Sequence, residues 1–167
     1  MPAHSISTPF ALSAAPSRRE LVVSRLLAAP RPRVFQAWID PDRLAEWWGP
    51  HGMSTPVCEI DPQPSGVFRT VLRASDGTEY PSRGVFLEIA APVRIVYTDA
   101  FDPGWKPSGR AFMTAMATFD DHGGKTKCTL RAQHWTEADR ATHERMGFYQ
   151  GWNESFDRLA ALLAASE

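Results

Sequence analysis

From residue 55 to residue 135 the sequence repeats one pattern: a short β-branched or aromatic run, then a turn signal. The runs are 55–61, 67–73, 79–89, 94–101, 111–120 and 126–135. The breaks between them include "PQPSG", "SDG", "AAP", "DPGWKPSG" and "DHGG". Parallel neighbours need a crossover of a dozen or more residues, whereas antiparallel ones are joined by a tight turn. None of these breaks can hold a crossover, so the six strands are confined to an antiparallel meander. A further strand, "ELVVSRLL" at 20–27, precedes them.

Helical signals flank the meander on both sides. "PRPRVFQAWI" opens on prolines, which a first helical turn tolerates because its N–H groups are unpaired anyway. Val34, Phe35, Trp38 and Ile39 then fall at helical spacing. Asp40 reads as the N-cap of a second short helix, with Pro41 at its first position and Asp42 in its first turn. Leu44, Trp47 and Trp48 share a face of that helix, and Gly49-Pro50 ends it. After the strands, Thr136 caps a long helix striped by Phe148, Trp152, Phe156, Leu159 and Leu163. Residues 1–18, rich in Ser, Ala and Pro, read as a disordered leader. Residues 19–167 form one domain, and no internal repeat is visible.

This order dictates an α+β architecture in which a curved seven-stranded antiparallel sheet wraps the long C-terminal helix. The two short helices plug one end. Trp47 and Trp48 lie at that plug; Trp48 is expected to wall a cavity, while Trp47 is either core or cavity wall. Strand alternation turns Phe68 and Leu72 inward, and Met113, Ala115, Ala117 and Phe119 likewise. Small alanines on the inner face either draw the helix close or leave room, and a cavity is the second case. In "RGVFLEI" both faces are apolar, which means a bulge or an outer face covered by a second subunit. With "RIVYT" the surplus points to a homodimer pairing sheet faces or edges.

The run "LVVSRLLAAPRPRVFQAWIDPDRLAEWWGPHGM" resembles the opening of START-like (SRPBCC) proteins, in the branch related to the activator of the ninety-kilodalton heat-shock-protein ATPase. The similarity continues through "GVFRTVL" and "DGTEYPSRGVFLEIAAPVRIVYTD" to "MGFYQGWNESFDRLAALL", about residues 20–165. It implies the helix-grip fold, with an apolar cavity between sheet and helix. One departure is visible: Ser65-Gly66 stands where the family carries paired glycines.

Several function classes are excluded or unsupported. A net charge of −1 and a pI near 6.5 give no footprint for nucleic acid or an acidic membrane. No apolar run approaches the about 20 residues that span a bilayer. The five histidines form no H-x-x-x-H or H-x-H pair, and neither cysteine has a second ligand nearby, so no metal is expected. No P-loop, dinucleotide or nucleophile-elbow motif appears, and no cofactor is expected. Cys58 and Cys128 read as buried free thiols of a reducing, cytoplasmic setting.

The expected activity is binding of a small hydrophobic molecule by Trp48, Phe68, Tyr80, Phe101, Met113, Trp152 and Phe156. His134 stands at the rim if the less charged face of its strand is inward; otherwise it is a satisfied structural histidine. The alternative is a cyclase- or hydrolase-type enzyme, as some START-like relatives are, for which only His134, Glu88 and Tyr80 are available. A co-chaperone role, which the branch's name suggests, needs an additional domain and charged contact surfaces that this near-neutral chain does not display. No catalytic residue is assigned.

Overall fold

The structure, a computed structural model, describes residues 17–165. The expected leader therefore lies outside the described residues except for Ser17 and Arg18, which turn into the first strand. The elements run β1 (Glu20–Leu27), α1 (Arg31–Ile39), α2 (Pro41–Trp47), β2 (Ser54–Ile60), β3 (Val67–Arg73), β4 (Glu79–Ala90) and β5 (Arg94–Thr98). They continue as β6 (Phe101–Asp102), β7 (Lys106–Pro107), β8 (Met113–His122), β9 (Lys125–His134), α3 (Glu137–Arg145) and α4 (Phe148–Ala165).

Seven strands form one sheet in the order β1-β9-β8-β5-β4-β3-β2, every pair antiparallel. This is the helix-grip arrangement that the sequence implies. The chain leaves β1 at one edge and re-enters the sheet at β2 on the other, with α1 and α2 spanning the gap. Asp40 caps α2 as expected, accepting the Asp42 N–H at 3.0 Å. The buried face of α4, carrying Phe156, Leu159 and Leu163, joins α1, α2 and the concave side of the sheet in a single apolar core.

Two expectations are corrected, and the bulge expected as one alternative is present. The stretch after Thr136 is two helices rather than one. α3 stops at Arg145, and Gly147 takes φ 94°, which ends a helix without the strain a side chain would add. The strand expected at 94–101 ends at Thr98. Phe101 instead belongs to a separate two-stranded ribbon, β6-β7, and packs on Trp105 with ring centroids 5.6 Å apart. In "RGVFLEI" the register shifts between Phe86 and Glu88, so the run contains a bulge. Phe86 is inward and stacks edge-on against Phe68, while Val85, paired with Val67 and Thr98, faces the other side and is 0% exposed within the single chain. Val85 and Phe86 are thus both buried within the single chain.

Candidate ligand cavity

The plug is built by two adjacent indoles with different backbone fates. Trp47 is the last residue of α2; its ring is fully buried and its Nε1–H donates to the Ala37 carbonyl at 2.8 Å. Trp48 caps the helix in an extended conformation, φ −67° and ψ 126°, and its ring lines the cavity while keeping edge contact with Trp47, centroids 5.5 Å apart. Gly49 follows at φ 94°, where a Cβ would also come within 2.6 Å of Leu72 Cδ2. From α4, Arg158 donates to the carbonyls of Glu46, Trp48 and Gly49 at 2.9, 3.1 and 2.9 Å. A cation at the carbonyl end of α2 also complements the helix dipole.

Behind this plug lies a cavity of about 500 Å³. Its floor is the concave face of the sheet: Phe68, Thr70 and Leu72 from β3, Tyr97 from β5, Met113 and Ala115 from β8, Leu130 and Ala132 from β9. Ala115 and Ala132 are direct cross-strand partners, so two methyl groups stand side by side where larger side chains would fill the space. The roof is Trp152, Ser155 and Phe148 of α4, continued by His143 of α3 and the Met146-Gly147 junction. Met146, 73% exposed, and Tyr80, 51% exposed, mark the mouth.

The walls are connected rings. Trp48 meets Trp152 and Phe68 edge-on at 5.3 and 5.5 Å, and Phe68 stacks on Tyr97 at 4.8 Å. Among the described residues no Asp, Glu, Lys or Arg lines the cavity. Its polar side-chain groups, again among the described residues, are few: the hydroxyls of Thr70, Tyr80, Ser82, Tyr97 and Ser155, the Trp48 and Trp152 indole N–H groups, and the His143 imidazole. Burial, with the Asp99 charge as a lesser cause, holds the Tyr97 phenol far above its ordinary range, so it stays protonated. Burial also pushes the Cys58 thiol up to about 11 and Cys128 higher still, so neither offers a thiolate at neutral pH. Among the described residues no cluster of His, Cys, Asp and Glu could hold a metal ion.

A family model described as activator of Hsp90 ATPase homolog 1-like protein matches residues 28–164. The chain belongs to this family. The match spans both short helices, six of the seven sheet strands and nearly all of α4. A protein from Nitrosomonas europaea is 31% identical over 91% of this chain and 98% of its own, with a TM-score of 0.86. Proteins from Mycobacterium smegmatis and Silicibacter pomeroyi share the fold at 24% and 23% identity, with TM-scores of 0.76 and 0.70. They cover 87% and 89% of this chain, and 91% and 99% of their own. The second is described as an AHSA1 protein. The chain matches no curated protein.

Within this family fold, the structure brings Trp48, Phe68, Tyr80, Met113 and Trp152 together around the cavity. Three expected residues stand elsewhere. Phe101 leaves the sheet with the β6-β7 ribbon. Phe156 is fully buried beneath Trp152, 5.6 Å from its ring, and belongs to the core. His134 is buried behind the wall, its Nδ1 2.8 Å from the Arg19 carbonyl and its Nε2 2.8 Å from His143 Nδ1. Glu88, nominated for an enzyme, is on the convex face in an ion pair with Arg94 at 2.6 Å. Sequence reasoning missed Tyr97, because "RIVYT" is apolar on both faces, and His143, because nothing in "EADRATHER" singles it out.

Proposed function

We propose that this chain binds a small, uncharged, largely apolar molecule between its sheet and its C-terminal helix. The observation that carries this reading is a cavity of about 500 Å³ walled by Trp48, Phe68, Tyr97 and Trp152, with no Asp, Glu, Lys or Arg in its lining among the described residues. That volume falls in the range of about 300–1,000 Å³ usual for ligand pockets, which are mostly apolar with a few placed polar groups. Aromatic walls supply contact area with little rotamer freedom to lose. Each of the three side chains nominated for catalysis is either outside the cavity or at its solvent-exposed mouth. A reducing compartment is in keeping with Cys58 and Cys128 as free thiols.

The test is titration with 2-methoxynaphthalene, followed by quenching of tryptophan fluorescence. Saturable quenching is expected. Ala132→Leu, which extends a side chain into the cavity from β9, should weaken binding about tenfold or more. Saturable binding with the same affinity in the variant would place the ligand elsewhere and overturn the reading.

A further inference from the structure

His143 and His134 are nine residues apart in sequence, on α3 and β9, and their rings meet through a single hydrogen bond of 2.8 Å. A bond between two imidazoles needs one donor and one acceptor, and the surroundings decide which is which. His134 Nδ1 lies 2.8 Å from the Arg19 carbonyl, and a carbonyl can only accept. His134 Nδ1 must therefore carry hydrogen. With one proton on each ring, His134 Nε2 is left as an acceptor, and His143 Nδ1 has to donate to it. The hydrogen positions of the whole chain, from the backbone of Arg19 to the second ring, follow from one carbonyl.

The remaining nitrogen is His143 Nε2. It has no hydrogen-bond partner among the described residues, and its ring lines the cavity. Phe112 and Phe148 hold that ring from the sides, with centroids 5.3 and 5.0 Å away, so it cannot turn freely to present another edge.

The geometry points to His143 Nε2 as a fixed hydrogen-bond acceptor inside the cavity, selecting a ligand with an apolar body and one hydrogen-bond-donating head, an alcohol or a phenol. This assignment rests on the cavity being the ligand site. Burial, and after it the neighbouring His134, lowers His143 from 6.5 to about 4, so the lone pair is available at neutral pH. A carboxylate presents only oxygen lone pairs and a negative charge to that nitrogen. It is disfavoured, and no cationic side chain lines the cavity to offset it.

The experiment compares three probes at neutral pH, 2-naphthol, 2-methoxynaphthalene and 2-naphthoate, on wild type and His143→Phe. Long-range ¹⁵N–¹H NMR of the histidine rings is recorded on the free wild-type protein. Wild type should bind 2-naphthol about 3- to 10-fold more tightly than its methyl ether, the net worth of one hydrogen bond. It should bind 2-naphthoate more weakly than either. His143→Phe should bring the ratio of naphthol to ether affinity down to about one, whatever it does to either affinity alone. The NMR spectrum should show His143 protonated at Nδ1 and bare at Nε2. Equal binding of naphthol and ether by wild type, an advantage that survives in His143→Phe, or an Nε2–H tautomer each overturns the assignment while leaving the cavity as a ligand site. Failure of all three probes to bind overturns the ligand reading and this one with it.

Discussion

Two neighbouring tryptophans of equal hydrophobicity, their rings in edge contact at 5.5 Å, take different surroundings because the helix ends between them. Trp47 keeps helical geometry and drives its ring into the core, whereas Trp48 takes extended geometry and faces the cavity. Their alanine variants should therefore part company. Trp47→Ala removes a fully buried indole and should lower stability by about 3–5 kcal/mol in urea unfolding. Trp48→Ala should instead weaken the apolar probe by about 1–3 kcal/mol. A large loss of stability with unchanged affinity at Trp48 would make it structural. His143 adds a pH signature at the same scale. Its folded value of about 4 lies below its ordinary 6.5, so between those values the unfolded chain holds a proton that the folded chain does not. Stability should consequently decline as pH falls from about 6.5 toward 4 and be free of this contribution above it. Unfolding midpoints measured across that window should slope less steeply for His143→Phe than for wild type; parallel slopes would contradict the assignment.

At the scale of elements, legibility followed how local each determinant was. The two-residue alternation of β3 and β8 identified Phe68, Leu72, Met113, Ala115, Ala117 and Phe119 as inward, since pleating alone decides it. Asp40 and Thr136 announced their helices because a cap is made within a few residues. The bulge in β4 stood only as one of two readings and the departure of Phe101 was hidden, because each depends on the partner strand's register rather than on its own residues. Apolar periodicity carried the C-terminal helix across Gly147, where the missing Cβ permits a φ of 94° and the break. Gly147→Ala meets no neighbour within 4 Å, so its expected loss of about 1 kcal/mol reflects backbone strain alone. A thermal unfolding scan showing no loss would mean that the junction straightens into a continuous helix.

Across the whole molecule, the sheet is open between β1 and β2, and α4 holds the plug that closes one end. Arg158 is the fastening, bonding three carbonyls at the end of α2 within 3.1 Å. Arg158→Met keeps the aliphatic stem but leaves those carbonyls without their charged donor. It should destabilise the fold by about 2 kcal/mol, the scale for bonds to a charged group, with circular dichroism melting as the measure. Among the described residues no helix is long and apolar enough to cross a membrane.

The break at Gly147 also bears on time. α3 has no buried residue, while α4 is anchored along its length by Phe148, Phe156, Leu159 and Leu163. The part of the roof beside the mouth is therefore held by side-chain contacts, among them Arg140 to the Glu20 carbonyl and His143 to His134, while the helix that the core depends on is held by its apolar face. On the proposed ligand reading, exchange and global unfolding would be separate clocks. A residence time in this cavity would be set by the short helix, however stable the protein is made elsewhere.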